Sequence, residues 1–252
     1  MRRLSEAGLN RAGGEVRRFR HPREGLATGI VHLGLGAFAR AHLLAYTDDA
    51  LDLDHAPFGV CGVSLRSPFT RDRLSPQDGL YTVAERGGGA ERLRVIGCLR
   101  EILVGSEDPG ALVRRVAEPT VGVVTLTVTE KGYCHDPASG RLHAAHPDIR
   151  HDLARADRPR SAIGALVAGL DARRRAGARP PTILSCDNLP SNGATLRGLV
   201  LAFAALRDDA LARWIDAEVA FPCTMVDRIV RRRRRPTPWG SRRGSACGTR
   251  RR

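Results

Sequence analysis

Gly34, Gly36 and Ala39 form the pattern G-x-G-x-x-A directly after the apolar run "IVHL" and directly before a stretch with helical spacing. Glycines at such a junction leave room for a tight turn and for close approach of a pyrophosphate, whose charge meets free amides at the start of the helix. Taken alone, the triplet also fits any steric strand-to-helix turn. At the end of the next apolar run, "VSLRSP" offers Ser64, Arg66 and Ser67, where a dinucleotide site commonly carries an acid for the ribose 2′-hydroxyl. Arg66 suits a 2′-phosphate, so NAD and NADP both stand as cofactors; a solvated strand-end arginine is the plain alternative.

Other reactive types are weaker signals. Asn188 and Asn192 flank a proline and a glycine and, as residue types, are turn formers. Asp227 beside Arg228 reads as a local ion pair. His32, His42 and Cys186 lack second and third ligands at workable spacing, so no metal is expected and packing or capping roles fit them. The six cysteines are far apart, with no Cys-x-x-Cys, which points to a reduced protein and, by default, the cytoplasm. No apolar run approaches the roughly 18 residues that span a bilayer, so no membrane role is expected.

These positions need a scaffold, and the hydrophobic periods supply one. Residues 1–26 are polar and aperiodic and read as an N-terminal arm of loops with one short helix. Strands are expected over 29–36 and 58–65, a hairpin about Gly87–Gly89, a long apolar strand over 120–130, and a short strand over 181–186. Helices are expected over 37–51, 108–118 (capped by Asp108) and 161–178 (amphipathic), and in "ATLRGLVLAFAAL" and "DALARWIDAEVA". Strands alternating with helices imply an α/β fold with a doubly wound, mainly parallel, Rossmann-like sheet over residues 27–229.

Several segments in order, "IVHLGLGAFARAHLLAYTDD", "QDGLYTV", "LTVTEKGY", "HPDIRHDL", "LSCDNLPSNG" and "FPCTMVDRI", resemble the metal-independent long-chain mannitol dehydrogenases, a family that includes fructuronate and tagaturonate reductases. The resemblance covers about 29–229 and implies hydride transfer between a nicotinamide cofactor and a polyol or hexuronate. It implies that Gly34, Leu35, Gly36, Ala37, Phe38 and Arg40 form the cofactor turn. Thr129 and Glu130 would then lie beside the nicotinamide, Asn188 would hold the substrate oxygen, and Asp227 would be the carboxylate near the catalytic centre. In that family a second, mostly helical domain carries a general-base lysine, followed by Asn and His. Here the only lysine is Lys131, in the "TEKGY" segment.

Charge completes the picture. The chain of 252 residues carries a formal net charge of +14 with 42% hydrophobic residues, enough for a proper core. Ten arginines fall within 231–252, where there is no Asp or Glu. The basicity therefore belongs mostly to a 230–252 tail, which argues against nucleic acid as the partner of the rest. The family pattern stops at Val230, and the tail reads as an out-of-frame translation of GC-rich DNA, leaving the helical domain missing and little or no activity. The alternatives are a non-catalytic nucleotide-binding module and a genuine basic arm that binds nucleic acid with steep salt dependence. Sequencing the DNA after the Val230 codon should reveal, in another frame, a helical domain with a Lys followed by Asn and His; three empty frames would refute the idea.

Overall fold

The β-branched run before the glycine turn becomes the middle strand of the molecule, and everything else is arranged around it. The computed structural model describes residues 3–11, 15–54, 58–87, 90–136, 138–226 and 230. In chain order the first elements are β1 (Val16–Arg17), β2 (Thr28–Leu33), α1 (Ala37–Ala41), α2 (Leu43–Leu53), β3 (Gly59–Ser64) and α3 (Phe69–Leu74). Next come β4 (Tyr81–Gly87), β5 (Ala90–Ile96), β6 (Leu99–Val104), α4 (Pro109–Ala117) and β7 (Val123–Leu126). The chain continues through α5 (Pro147–Ala154), α6 (Ala162–Arg175), β8 (Thr182–Ser185), α7 (Asn192–Ala205) and α8 (Asp209–Glu218). Asp227 and the tail 231–252 lie outside the described residues, as does the centre of the hairpin turn at Gly88 and Gly89.

Five strands pair in the order β6-β3-β2-β7-β8, every neighbour parallel. The chain starts at β2, builds outward through β3 to β6, then returns to β7 on the other side, so the winding reverses between β2 and β7. This is the doubly wound, Rossmann-like plan that strand–helix alternation implies. Side chains alternate across the sheet. Val31, Leu33, Cys61 and Val63 face the layer built by α4, α6 and α7, while Val60 joins Leu35, Leu44 and Leu51 on the opposite face.

The hairpin β4-β5 forms its own sheet with β1. Two adjacent acids of α2 fasten it. Asp49 makes a two-pronged ion pair with Arg94 (2.9 Å on both nitrogens), and Asp48, 1% exposed, accepts the N–H groups of Gly97 and Cys98. His21 reaches the same Asp48 at 3.0 Å, and Arg23 donates to the carbonyls of Asp78 and Leu99, so residues 15–26 are packed down by buried polar contacts. Such anchoring has no hydrophobic period and leaves no pattern in the sequence.

Three expectations need correction. The helix over 37–51 is two helices, broken at His42, whose ring stacks on Phe38 at 4.6 Å. The strand over 120–130 ends at Leu126, because Asp187 captures the N–H groups of Val128 and Thr129 and pulls the chain out of the ladder. The helix after Ser161 is not amphipathic: Ala162 to Asp171 and Arg173 are all buried, as befits a helix flanked by α4, α5 and α7. Asp108 does cap α4, accepting from the Ala111 N–H at 2.9 Å. Among the described residues no helix is long and apolar enough to cross a membrane.

Arg173 is 1% exposed and faces no carboxylate within bonding distance among the described residues. Its guanidinium donates to the carbonyls of Val116, Glu118, Val121 and Arg179, closing the end of α4 onto the loop before β7, and burial lowers its pKa. Arg173→Met keeps the stem but strands the carbonyls of Val116, Val121 and Arg179, Glu118 O keeping the N–H of Val121, and should cost about 3 kcal/mol in urea unfolding; a change below about 1 kcal/mol would show that the carbonyls find other donors.

Candidate functional site

The site begins where β2 ends. Gly34 has φ +99°, and a Cβ there would overlap the carbonyl oxygen of Thr127, so only glycine lets the chain leave β2 this close to β7. The N–H groups of Gly34 and Leu35 both donate to Val63 O, at 2.8 and 3.2 Å, which pins the turn onto β3. Leu35 is 3% exposed and packs into the core, with Gly62 carrying no side chain to make way for it. Gly36 is the exposed residue of the turn, with no side chain capping α1. The first intrahelical bond runs from Arg40 N to Gly36 O, so the N–H groups of Ala37, Phe38 and Ala39 have no intrahelical acceptor and are left for an anion. Arg40 bonds back to Leu35 O at 2.8 Å, and its own carbonyl accepts from the Tyr81 hydroxyl, so it braces the turn.

Beneath the turn sits His32, fully buried. Thr127 Oγ1 donates to Gly34 O at 2.8 Å, so it must accept from His32 Nε2 at 2.9 Å, and the ring's other nitrogen accepts from Thr125 Oγ1 at 2.7 Å. The neutral ring satisfies every partner. Burial pushes its pKa down to about 4. The histidine is therefore structural, as its spacing suggests, and it stitches β2 to β7 at the point where the two strands diverge.

A second network fixes the other lip. Tyr133 donates to Asp187 at 2.8 Å and receives the Ser185 hydroxyl at 2.7 Å, while burial and then the charge of Asp187 push its phenol above the usual range. Asp187 also holds Val128 and Thr129 by their N–H groups. Thr129 is left at φ 65°, ψ 161°, a conformation that costs a side chain of order 1–3 kcal/mol. Asn192, 2% exposed, donates to Asp187 O and Thr224 and accepts from Thr224 N, so it clamps the segment that leads toward Asp227. Sequence reasoning does not single out Asp187, Tyr133 or Asn192 as site residues; Asn192 reads as a turn former, and nothing in its spacing marks a clamp. Asn188 is exposed just past β8, and its amide has no hydrogen-bond partner among the described residues.

Between these lips lies a cleft of about 740 Å³ lined by Gly34, Gly36, Thr127, Thr129, Lys131 and Arg66. It sits at the carboxyl ends of β2, β3 and β7, the reversal point of the sheet, where open α/β folds bind ligands. Thr129 lines it and is exposed, Glu130 next to it is exposed but outside the lining, and Arg66 is 80% exposed with its guanidinium 3.3 Å from Asp148. Cys134, His146 and Asp148 bring ligand atoms within 4.8 Å of one another. Burial and the nearby acids Asp148 and Asp152 push the Cys134 thiol up to about 11, and Arg66 already engages Asp148.

A parallel sheet whose winding reverses at a glycine turn, with free helix amides facing a cleft, defines a Rossmann-type domain built for a dinucleotide. Residues 28–239 match the mannitol dehydrogenase Rossmann domain, and the chain belongs to the mannitol dehydrogenase family. It is 45% identical over 209 residues to D-mannonate oxidoreductase of Escherichia coli (strain K12), covering 81% of this chain and 43% of that protein. It is 44% identical over 217 residues to mannitol 2-dehydrogenase of Cereibacter sphaeroides, covering 85% and 45%. Among solved structures, the Pseudomonas fluorescens mannitol 2-dehydrogenase ternary complex with NAD and D-mannitol superposes with a TM-score of 0.86 at 40% identity, over 90% of this chain and 47% of that one. The chain thus spans less than half the length of these relatives.

The pKa of His32 makes stability depend on pH. Its folded value lies below the ordinary 6.5, so the unfolded chain binds the proton more readily, and stability is complete above about 6.5 and lost as pH falls toward about 4. Between pH 7 and 5 this amounts to about 2 kcal/mol. Urea midpoints should fall over that interval and fall less in His32→Asn; equal slopes in both proteins would show that this ring is not the group responsible.

Proposed function

We propose that this chain is the dinucleotide-binding portion of an oxidoreductase that passes hydride between a nicotinamide cofactor, NAD or NADP, and the secondary alcohol of a polyol or sugar acid, with residues 27–229 as the binding unit. The observation that carries the reading is the Gly34–Gly36 turn, which opens onto the cleft at the reversal point of the sheet, while the exposed Asn188 past β8 has no hydrogen-bond partner among the described residues. The named relatives support the substrate class.

A bound nicotinamide would supply the carbon that gives or takes hydride. The chain's own residues position it. Gly34 and Gly36 admit the pyrophosphate, Ala37 and Phe38 donate backbone N–H groups to it, and Arg40 and Leu35 hold the turn rigid. Arg66 faces the ribose end, with Thr129 and Glu130 on the nicotinamide side. Asn188 donates its amide to the substrate oxygen, a fixed dipole that strengthens as negative charge develops there. Asp227, beyond the described residues, is assigned to the same centre, and the Asn192–Thr224 clamp supports that assignment by holding the segment three residues before it. Five described cysteines are unpaired thiols, which supports a reducing compartment such as the cytoplasm.

Turnover by this chain as it stands is low or absent, because the family's general-base lysine is not in its sequence and its only lysine is Lys131. That same observation favours a second reading, a nucleotide-binding module without catalysis. Titration of the full chain should give saturable quenching of tryptophan fluorescence by the cofactor, with polyol oxidation at least about 100-fold below that of a full-length relative. Comparable turnover would overturn the assignment of the missing base, and failure to bind either cofactor would overturn the site.

A further inference from the structure

The cleft does not end at Arg66. A second concavity of about 760 Å³ continues from it past the ends of β3 and β6, lined by Leu65, Arg66, Ser106, Arg155, Arg158 and Arg160. Leu65, Arg66, Asp148 and Arg160 line both hollows, so the two are one trough, running from the glycine turn to the outer strands. Its position past the end of β3 is where this fold reads the adenosine ribose. Among the described residues the only carboxylate on its walls is Asp148, and Arg66 engages it at 3.3 Å. The side chains of Arg158 and Arg160 are exposed and have no hydrogen-bond or ion-pair partner among the described residues. Arg160 is nevertheless fixed at its backbone, whose N–H donates to buried Asp152 at 2.8 Å, just before the Ser161 cap of α6.

We propose that the adenosine end of this trough is built for a 2′-phosphorylated dinucleotide, with Arg66 and Arg160 as the two cations that meet the additional phosphate. The inference rests on the reading of the cleft as a dinucleotide site and sharpens it from either cofactor to one. The chemistry is direct. An unmodified 2′-hydroxyl calls for an acceptor, and the one carboxylate nearby is already paired; a phosphate dianion calls for guanidinium donors, which fork onto its oxygens and are held by rigid backbone. Phosphate binding would also draw Arg66 from Asp148, freeing that carboxylate for the neighbouring ribose hydroxyl.

Calorimetric titration of the full chain with NADP+, NAD+, 2′,5′-ADP and 5′-AMP tests this. NADP+ should bind about tenfold or more tighter than NAD+, and 2′,5′-ADP tighter than 5′-AMP by a similar factor, with the advantage shrinking as salt rises. Arg66→Ala and Arg160→Ala should each narrow the NADP+ to NAD+ ratio about tenfold, and unfolding midpoints matching the parent's would show both variants intact. Equal or tighter binding of NAD+, or an NADP+ preference that survives both substitutions, would overturn the proposal while leaving the dinucleotide site standing. Failure of every one of the four compounds to bind would remove the site itself.

Discussion

The site depends on the close approach between Gly34 and the carbonyl of Thr127. Neighbouring parallel strands must separate if a ligand is to enter between them, yet their ends must stay fixed if it is to be held. Here β2 and β7 diverge immediately after Leu33, with Gly34 turning through φ +99° and Thr127 bonding across the gap. His32 sits under the fork and ties both strands through Thr125 and Thr127. Because the turn is also pinned to Val63 on the opposite neighbour, α1 starts at a fixed point above the sheet. Its first amides are therefore held in place next to the cleft-lining Gly36 before any ligand is present.

The facing lip solves the converse problem, holding an irregular loop still. Val128 and Thr129 have left the ladder, and their N–H groups would be orphaned without Asp187. The carboxylate is in turn held by Tyr133, whose ring is wholly buried. That arrangement keeps Thr129 in a backbone conformation that side chains avoid. Strain at a cleft rim, sustained by a buried polar network, is how a loop can be both irregular and rigid. The same network reaches Asn192 and Thr224 through Ser185, so the segments carrying Asn188 and Thr129 are tied to one set of hydrogen bonds.

The scaffold was legible because its signals are local and periodic. Apolar β-branched runs mark the strands that flank the turn, Asp108 marks its helix, and the glycine spacing marks the site. What escapes such reading is long-range and polar. Asp48 and Asp49 look like two surface acids on a helix, but one is buried under the hairpin sheet and the other grips Arg94, 45 residues away. Edge strand β6 is hard to recognise because its short run, "LREILV", follows a strand of similar composition with only Gly97 and Cys98 between them. The assignments of Asn188 and Asp227 come from resemblance alone, since turn chemistry explains the one and a neighbouring arginine the other.

Arginine is the residue whose meaning changes most between sequence and fold. Forty arginines against a single lysine look like compositional bias, and a bias places cations without regard to need. The fold sorts them by what they touch. Arg173, Arg94 and Arg23 are buried and satisfy several carbonyls or a carboxylate at once, a task a lysine's single ammonium cannot perform with the same geometry. Others, such as Arg71 with Glu107 and Arg174 with Asp208, form surface pairs of small energetic weight. A third group, Arg158 and Arg160, has no side-chain partner among the described residues and stands beside a concavity at the carboxyl edge of the sheet. Cations gathered around a concavity add up to a positive field over it. An anionic group at that end of the trough would meet this field before any contact forms, so position gives a drift in composition a physical consequence.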